Sequence, residues 1–231
     1  NPLTGDVTAT IRIFYQGAAD DFAWVVPVSV PPEISIAPQD FFDRLRQRTR
    51  PNYYVQWDEE SQCSPWGMML ESDSGFDASD PAPNAGGVEV IDQQDVGAYE
   101  TVTLESDDAE ALYNWLNANG FDQPEESLPL IEHYIKNDMF FVAMKLKRGA
   151  DVGEIQPVTL KMQSWEACVP LILTRIAATP DMPVRIWMLG QARAVPTNWL
   201  HVEINEKKID WFNYGSNYDD VVTQAINEAS G

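Results

Sequence analysis

From residue 7 the chain alternates apolar and polar positions: Val7, Ala9, Ile11, Ile13 and Tyr15 against Thr8, Thr10 and Arg12. A period of two turns one face of a strand inward. "DFAWVVPVSV" (21–30) is instead almost continuously apolar, which predicts a strand covered on both faces. Pro27 has no N–H for a ladder, so this strand belongs at a sheet edge or a bulge. The short acidic stretch between the two segments predicts a hairpin. "PQDFFDRLRQRT" (38–49) then changes to helical spacing, with Phe41, Phe42 and Leu45 as its buried stripe. Asp40 suits the positive end of that helix, and Arg44, Arg46, Arg48 and Arg50 suit the negative end.

Alternation returns in "VGAYETVTLES" (96–106). "DDAEALYNWLNANG" (107–120) reads as a helix, capped by Ser106 or Asp107, closed by Gly120, and burying Leu112 and Leu116. A shorter helix is predicted over 127–138. Segments 139–148, 156–164, 169–178 and 184–190 read as four successive strands, with Leu171 facing inward, and 199–205 as another. A last helix over 216–229 carries Val221, Val222, Ala225 and Ile226 on one side. Strands dominate and do not alternate strictly with helices. The expected fold is α+β, a largely antiparallel or mixed sheet with about four helices packed against it. The 231 residues are read as a single domain, 1–231.

Residues 58–87 interrupt this pattern. "DSGFDASDPAPNAGG" is a long acidic loop of turn formers with little apolar content. Acidity runs through the whole chain: 36 Asp and Glu against 15 Lys and Arg give a formal charge of −21. Such a surface repels phosphate backbones and anionic lipid, so no nucleic-acid partner is expected. No apolar run is long enough for a membrane-spanning helix. Hard cations need oxygen ligands, which makes Asp73, Asp77 and Asp80 candidates for calcium. They lack the spacing of a helix–loop–helix calcium loop and its terminal Glu, and no metal or other cofactor is assigned to them.

No catalytic constellation stands out. GxSxG, HExxH and CxxC are absent, and no glycine loop of phosphate-binding type occurs. His133, mid-helix on a half-buried face, and His201, on a strand, are read as structural. Acidic neighbours disfavour a thiolate at Cys63 and Cys168. Paired carboxylates for glycoside hydrolysis can be found anywhere in a chain this acidic, so they discriminate little. Trp57 and Trp66 flank Cys63 beside Asp58, Glu59 and Glu60, an arrangement able to stack a sugar or to pack the base of the loop. Trp24, Trp115, Trp165 and Trp187 are assigned to the core.

"DFAWVVPVSVPP", "FFDRLRQRTRPNY", "GAYETVTLESDDAEALYNWLNANGF", "LPLIEHYIKNDMFFVAMKL" and "CVPLILTRIAATPDMPVRIWMLGQARAVPTNW" follow one another in an order that resembles the bacterial family DUF2330. That resemblance implies an exported protein of the bacterial envelope or exterior, a fragment of a longer precursor, and no assigned activity. In the oxidising compartment it implies, Cys63 and Cys168 are expected to form a disulfide, tying the near end of the acidic loop. The expected function is a non-enzymatic extracytoplasmic module that binds or assembles with a protein or glycan of the envelope. A carboxylate-based hydrolase of envelope polymers is one alternative. A calcium-dependent adhesive domain is another.

Overall fold

The computed structural model describes residues 5–15, 17–56, 88–165, 167–179 and 182–229. The acidic loop at 58–87 lies outside them. Along the chain run β1 (Asp6–Ile11), β2 (Ala23–Val28), β3 (Glu33–Ile36), α1 (Phe41–Thr49), β4 (Glu89–Val96), β5 (Tyr99–Glu105), α2 (Ala109–Ala118), α3 (Leu128–Ile135), β6 (Phe140–Leu146), β7 (Val158–Gln163) and α4 (Tyr218–Glu228). Two antiparallel sheets, ordered β1-β7-β3 and β2-β6-β5-β4, together with four helices make the class α+β. The chain divides into two compact units, Asn1–Arg44 with Asp77–Val184, and Leu45–Phe76 with Arg185–Gly231.

The first unit is layered around β6. Its sequence is apolar in both phases, so each face requires a cover. Val142, Met144 and Leu146 meet Val158, Leu160 and Met162 of β7 in one cluster, joined by Val26, Val28 and Tyr99. Phe141 and Ala143 point the other way, against Leu112 and Leu116 of α2 and Ile131 and Tyr134 of α3. The result is sheet on sheet on helices. Asp108 starts α2 by accepting the Ala111 amide at 2.9 Å, one residue later than the sequence caps. Gly120 ends its turn at φ 76°.

The strand at 21–30 is found as β2, buried on both faces and lying at a sheet edge as Pro27 requires. The hairpin is not. β1 pairs with β7, setting Ile11 opposite Val158, while β2 pairs with β6, setting Ala23 opposite Lys145. Residues 12–22 carry the chain from one sheet to the other, because β1 has one apolar face to bury and β2 has two. In α1 the stripe Phe41, Phe42 and Leu45 is only half-buried.

Three predicted strands are absent. Segment 169–178 contains a 3-10 turn, Leu173–Ala177. The Ile172 amide donates to the Tyr134 hydroxyl at 3.0 Å, and the Thr174 hydroxyl donates to the Leu171 carbonyl at 2.6 Å. This coiling places Leu173 and Ile176 in the cluster beside α3, so Leu173 is the buried leucine and Leu171 only half-buried. Segments 184–190 and 199–205 join no sheet.

The second unit has a small core of Tyr53, Ile209 and Val221, flanked by Ile204 and Tyr218. The Trp211 ring stands edge-on to Tyr53 at 5.0 Å. Asn217 fastens this core by accepting the Asp210 amide and donating to the Lys208 carbonyl, both at 2.8 Å. Gly215 has φ 67°, and a Cβ there would collide with the Tyr53 ring, so only glycine fits.

Candidate interaction surface

The residues singled out for chemistry are dispersed. Asp73, Asp77, Asp80, Cys63, Trp57, Trp66 and Asp58–Glu60 lie outside the described residues. Cys168 is exposed. His133 is exposed on α3 rather than half-buried. His201 is also exposed and off any strand, with its Nε2 2.9 Å from an Arg193 Nη2. Trp165 is 76% exposed, and so is not core. Trp24, Trp115 and Trp187 are half-buried. Among the described residues no group of three or more His, Cys, Asp or Glu is placed to hold a metal. The shifted groups are tyrosines. Burial pushes Tyr99 up to about 12, and its hydroxyl donates to the Gln156 carbonyl at 2.7 Å. Burial also raises Tyr134, against the amide hydrogen bonds it receives. Tyr53 is raised by burial and by Tyr218 and Glu206 nearby.

The second unit does gather side chains from three distant segments. Asp219, in the first turn of α4, has Arg46 Nη2 at 3.2 Å, Arg185 Nη2 at 3.1 Å and Arg50 Nη2 at 3.9 Å. Arg46 and Arg50 stand one helical turn apart, the Arg50 amide donating to the Arg46 carbonyl at 2.9 Å. Arg185 arrives on the 184–190 segment. Trp187 secures that segment by donating its indole N–H to the Thr49 hydroxyl at 2.9 Å, and its ring lies 5.9 Å from the Arg185 guanidinium. The four arginines expected to crowd one helix end are therefore divided. Arg44 turns back to Asp40 at 2.6 Å, whereas Arg46 and Arg50 go to Asp219.

No ladder uses the 184–190 segment. Arg185 and Trp187 are held by partners at α1 and α4, while Ile186 and Met188 are about half exposed and Leu189 is 80% exposed. Leu200 and Phe212 are equally open at 80% each. Isolated exposed apolar residues are ordinary, and these make the 184–190 segment a candidate surface. Read from sequence, these residues belong to strands and the arginines to a helix dipole, so neither pattern joins them. The available signal was Arg185 and Trp187 sharing one phase of an otherwise apolar run.

Among the described residues no helix is long and apolar enough to cross a membrane. Comparison with the curated proteins and with the solved structures gave no match. A family model described as "uncharacterized protein conserved in bacteria (DUF2330)" matches residues 5–226, nearly the whole length. The chain belongs to the DUF2330 family of bacterial proteins.

Proposed function

We propose that this protein is a non-catalytic module of the bacterial envelope or exterior that works by binding or assembly. The observation that carries the reading is a set of exposed apolar side chains in the second unit: Ile186, Met188 and Leu189, on a segment outside both sheets. Backbone outside any sheet ladder, carrying exposed apolar side chains, offers the two things strand-to-strand recognition uses. The partner is a protein or glycan of the envelope.

The test is a photo-crosslinking amino acid placed at Met188 in cells of a native host, with Asn227 as a reference position on α4. A discrete adduct is expected at 188, and Ile186→Asp should abolish it. Equal, diffuse labelling at both positions would defeat the reading, as would release of fragments from an envelope polymer by the purified chain. The compartment is tested separately. Unreduced protein from the same cells should yield one linked peptide pair containing Cys63 and Cys168. Two alkylatable thiols would remove the disulfide and weaken the case for export.

A further inference from the structure

The arginine cluster has more positive charge than its carboxylate can neutralise. Arg46, Arg50 and Arg185 surround Asp219, leaving a local surplus of two charges. Their side chains remain 52%, 39% and 50% exposed. Each guanidinium carries five N–H donors, and Arg46 and Arg185 each direct an Nη2 to Asp219. Arg50 lies beyond hydrogen-bond distance of it. The three side chains are thus about half open to solvent.

The arrangement is also costly unless something answers it. Like charges one helical turn apart disfavour a helix, and a third arginine adds to this. Yet Arg185 is held in place by the Trp187–Thr49 hydrogen bond rather than left to swing away. The whole chain carries −21, and the sequence of the second unit holds seven Lys and Arg against eleven Asp and Glu. Distant carboxylates are screened beyond about 8–10 Å at ordinary ionic strength, so the neighbourhood decides. Asp220 is the closest other acid in sequence and makes none of these contacts.

We propose that Arg46, Arg50 and Arg185 form a binding site for a dianionic phosphate group, which sits beside Asp219 and neutralises the surplus. A dianion matches two unanswered charges, and the planar guanidinium fork suits the oxygens of a phosphate. The site deepens the reading of the second unit as a binding surface and rests on it, but uses residues other than the exposed apolar ones. The phosphate group belongs either to the free ion or to a phosphorylated sugar.

The full chain is titrated with inorganic phosphate, glucose 6-phosphate, sulfate and acetate at constant ionic strength, following the arginine Nε–H resonances. Saturable shifts are expected with the dianions, centred on Arg46 and Arg185, and not with acetate. Saturation by phosphate and by glucose 6-phosphate alike would mean the group itself is recognised. Saturation by phosphate alone identifies the free ion as the source. Arg185→Gln should weaken binding at least tenfold, and Arg185→Lys, which keeps the charge but loses the fork, severalfold. Arg48→Gln, on the same helix but outside the cluster, should leave it unchanged. Asp219→Asn should tighten binding, since it raises the surplus to three. Absence of saturation in both the unaltered chain and Asp219→Asn overturns the proposal, and so do equal losses in Arg48→Gln and Arg185→Gln. Crosslinking at Met188 would survive that failure, so the two readings fall separately.

Discussion

β6 and the 184–190 segment are built from similar residues, "FFVAMKL" against "VRIWMLG", and end in opposite surroundings. Phe141, Val142, Ala143 and Met144 have no exposed surface, whereas Ile186 and Met188 keep about half of theirs. Both stretches favour extended backbone. What separates them is the phase content. β6 is apolar in both phases until Lys145, so both faces profit from cover and the strand goes to the middle of a sheet. In 184–190 one phase contains Arg185, whose charge a two-sided core could not accept unpaired. Arg185 and Trp187 turn to Asp219 and Thr49, while Ile186 and Met188 stay about half exposed and Leu189 80% exposed. Local β-propensity is common to both, and the environment is decided by whether a charge interrupts one of the two faces.

The largest expected effect separates these segments directly. Phe141→Ala should cost about 3–5 kcal/mol in urea unfolding, as truncation of a fully buried aromatic does. Met188→Ala should stay within about 0.5 kcal/mol, as exposed substitutions do. A loss above about 1 kcal/mol at Met188 would break the comparison, for it would mean the segment is covered.

Alkaline titration probes the covered region next. Tyr99 is neutral in the folded protein until about pH 12 but ionises near pH 10 when unfolded. Its burial therefore stabilises fully below about pH 10, and this contribution is lost as pH rises through about 12. The loss amounts to about 2–3 kcal/mol. Tyr99→Phe should flatten the alkaline limb measured by urea midpoints at about pH 9 and pH 11. Tyr53 and Tyr134 are shifted the same way, so part of the limb remains. An unchanged limb in Tyr99→Phe would show that this ring is not the one titrating.

The smallest effect has the opposite sign. The Thr103 hydroxyl is buried on β5 with no hydrogen-bond partner among the described residues, unlike that of Thr101, which donates to the Gln94 carbonyl at 2.9 Å. Thr103→Val removes an unanswered polar group at nearly constant shape and should raise stability by about 1 kcal/mol. A destabilisation would reveal a partner for that hydroxyl.

Much of the first unit was legible because its signals are local and agree. The run in 21–30, the proline at an edge, and the leucines of α2 each point to the observed placement. β4 was not read because a register shift between Val90 and Asp92 breaks its alternation. β3 has four residues, too few for a period to show. Leu173–Ala177 reads as a strand locally but coils, because the Ile172 amide is answered by the Tyr134 hydroxyl, which arrives from α3. The arginine cluster escaped for the same reason. Arg46 and Asp219 are 173 positions apart, and no local pattern joins them. Charges read one helix at a time are explained by that helix alone.

One consequence of the four-stranded sheet concerns the fate of this protein at high concentration. Its outer strands are β2, with Pro27, and β4, with a register shift and the acids Asp92 and Asp95. A foreign strand approaching the first side meets a residue that has no hydrogen to offer, and on the second side a kinked and negatively charged rim. Stacking copies through this sheet is a poor route to fibrils. Precipitates that form during storage should therefore carry little cross-β signature from residues 89–105, and their growth would have to begin elsewhere in the chain.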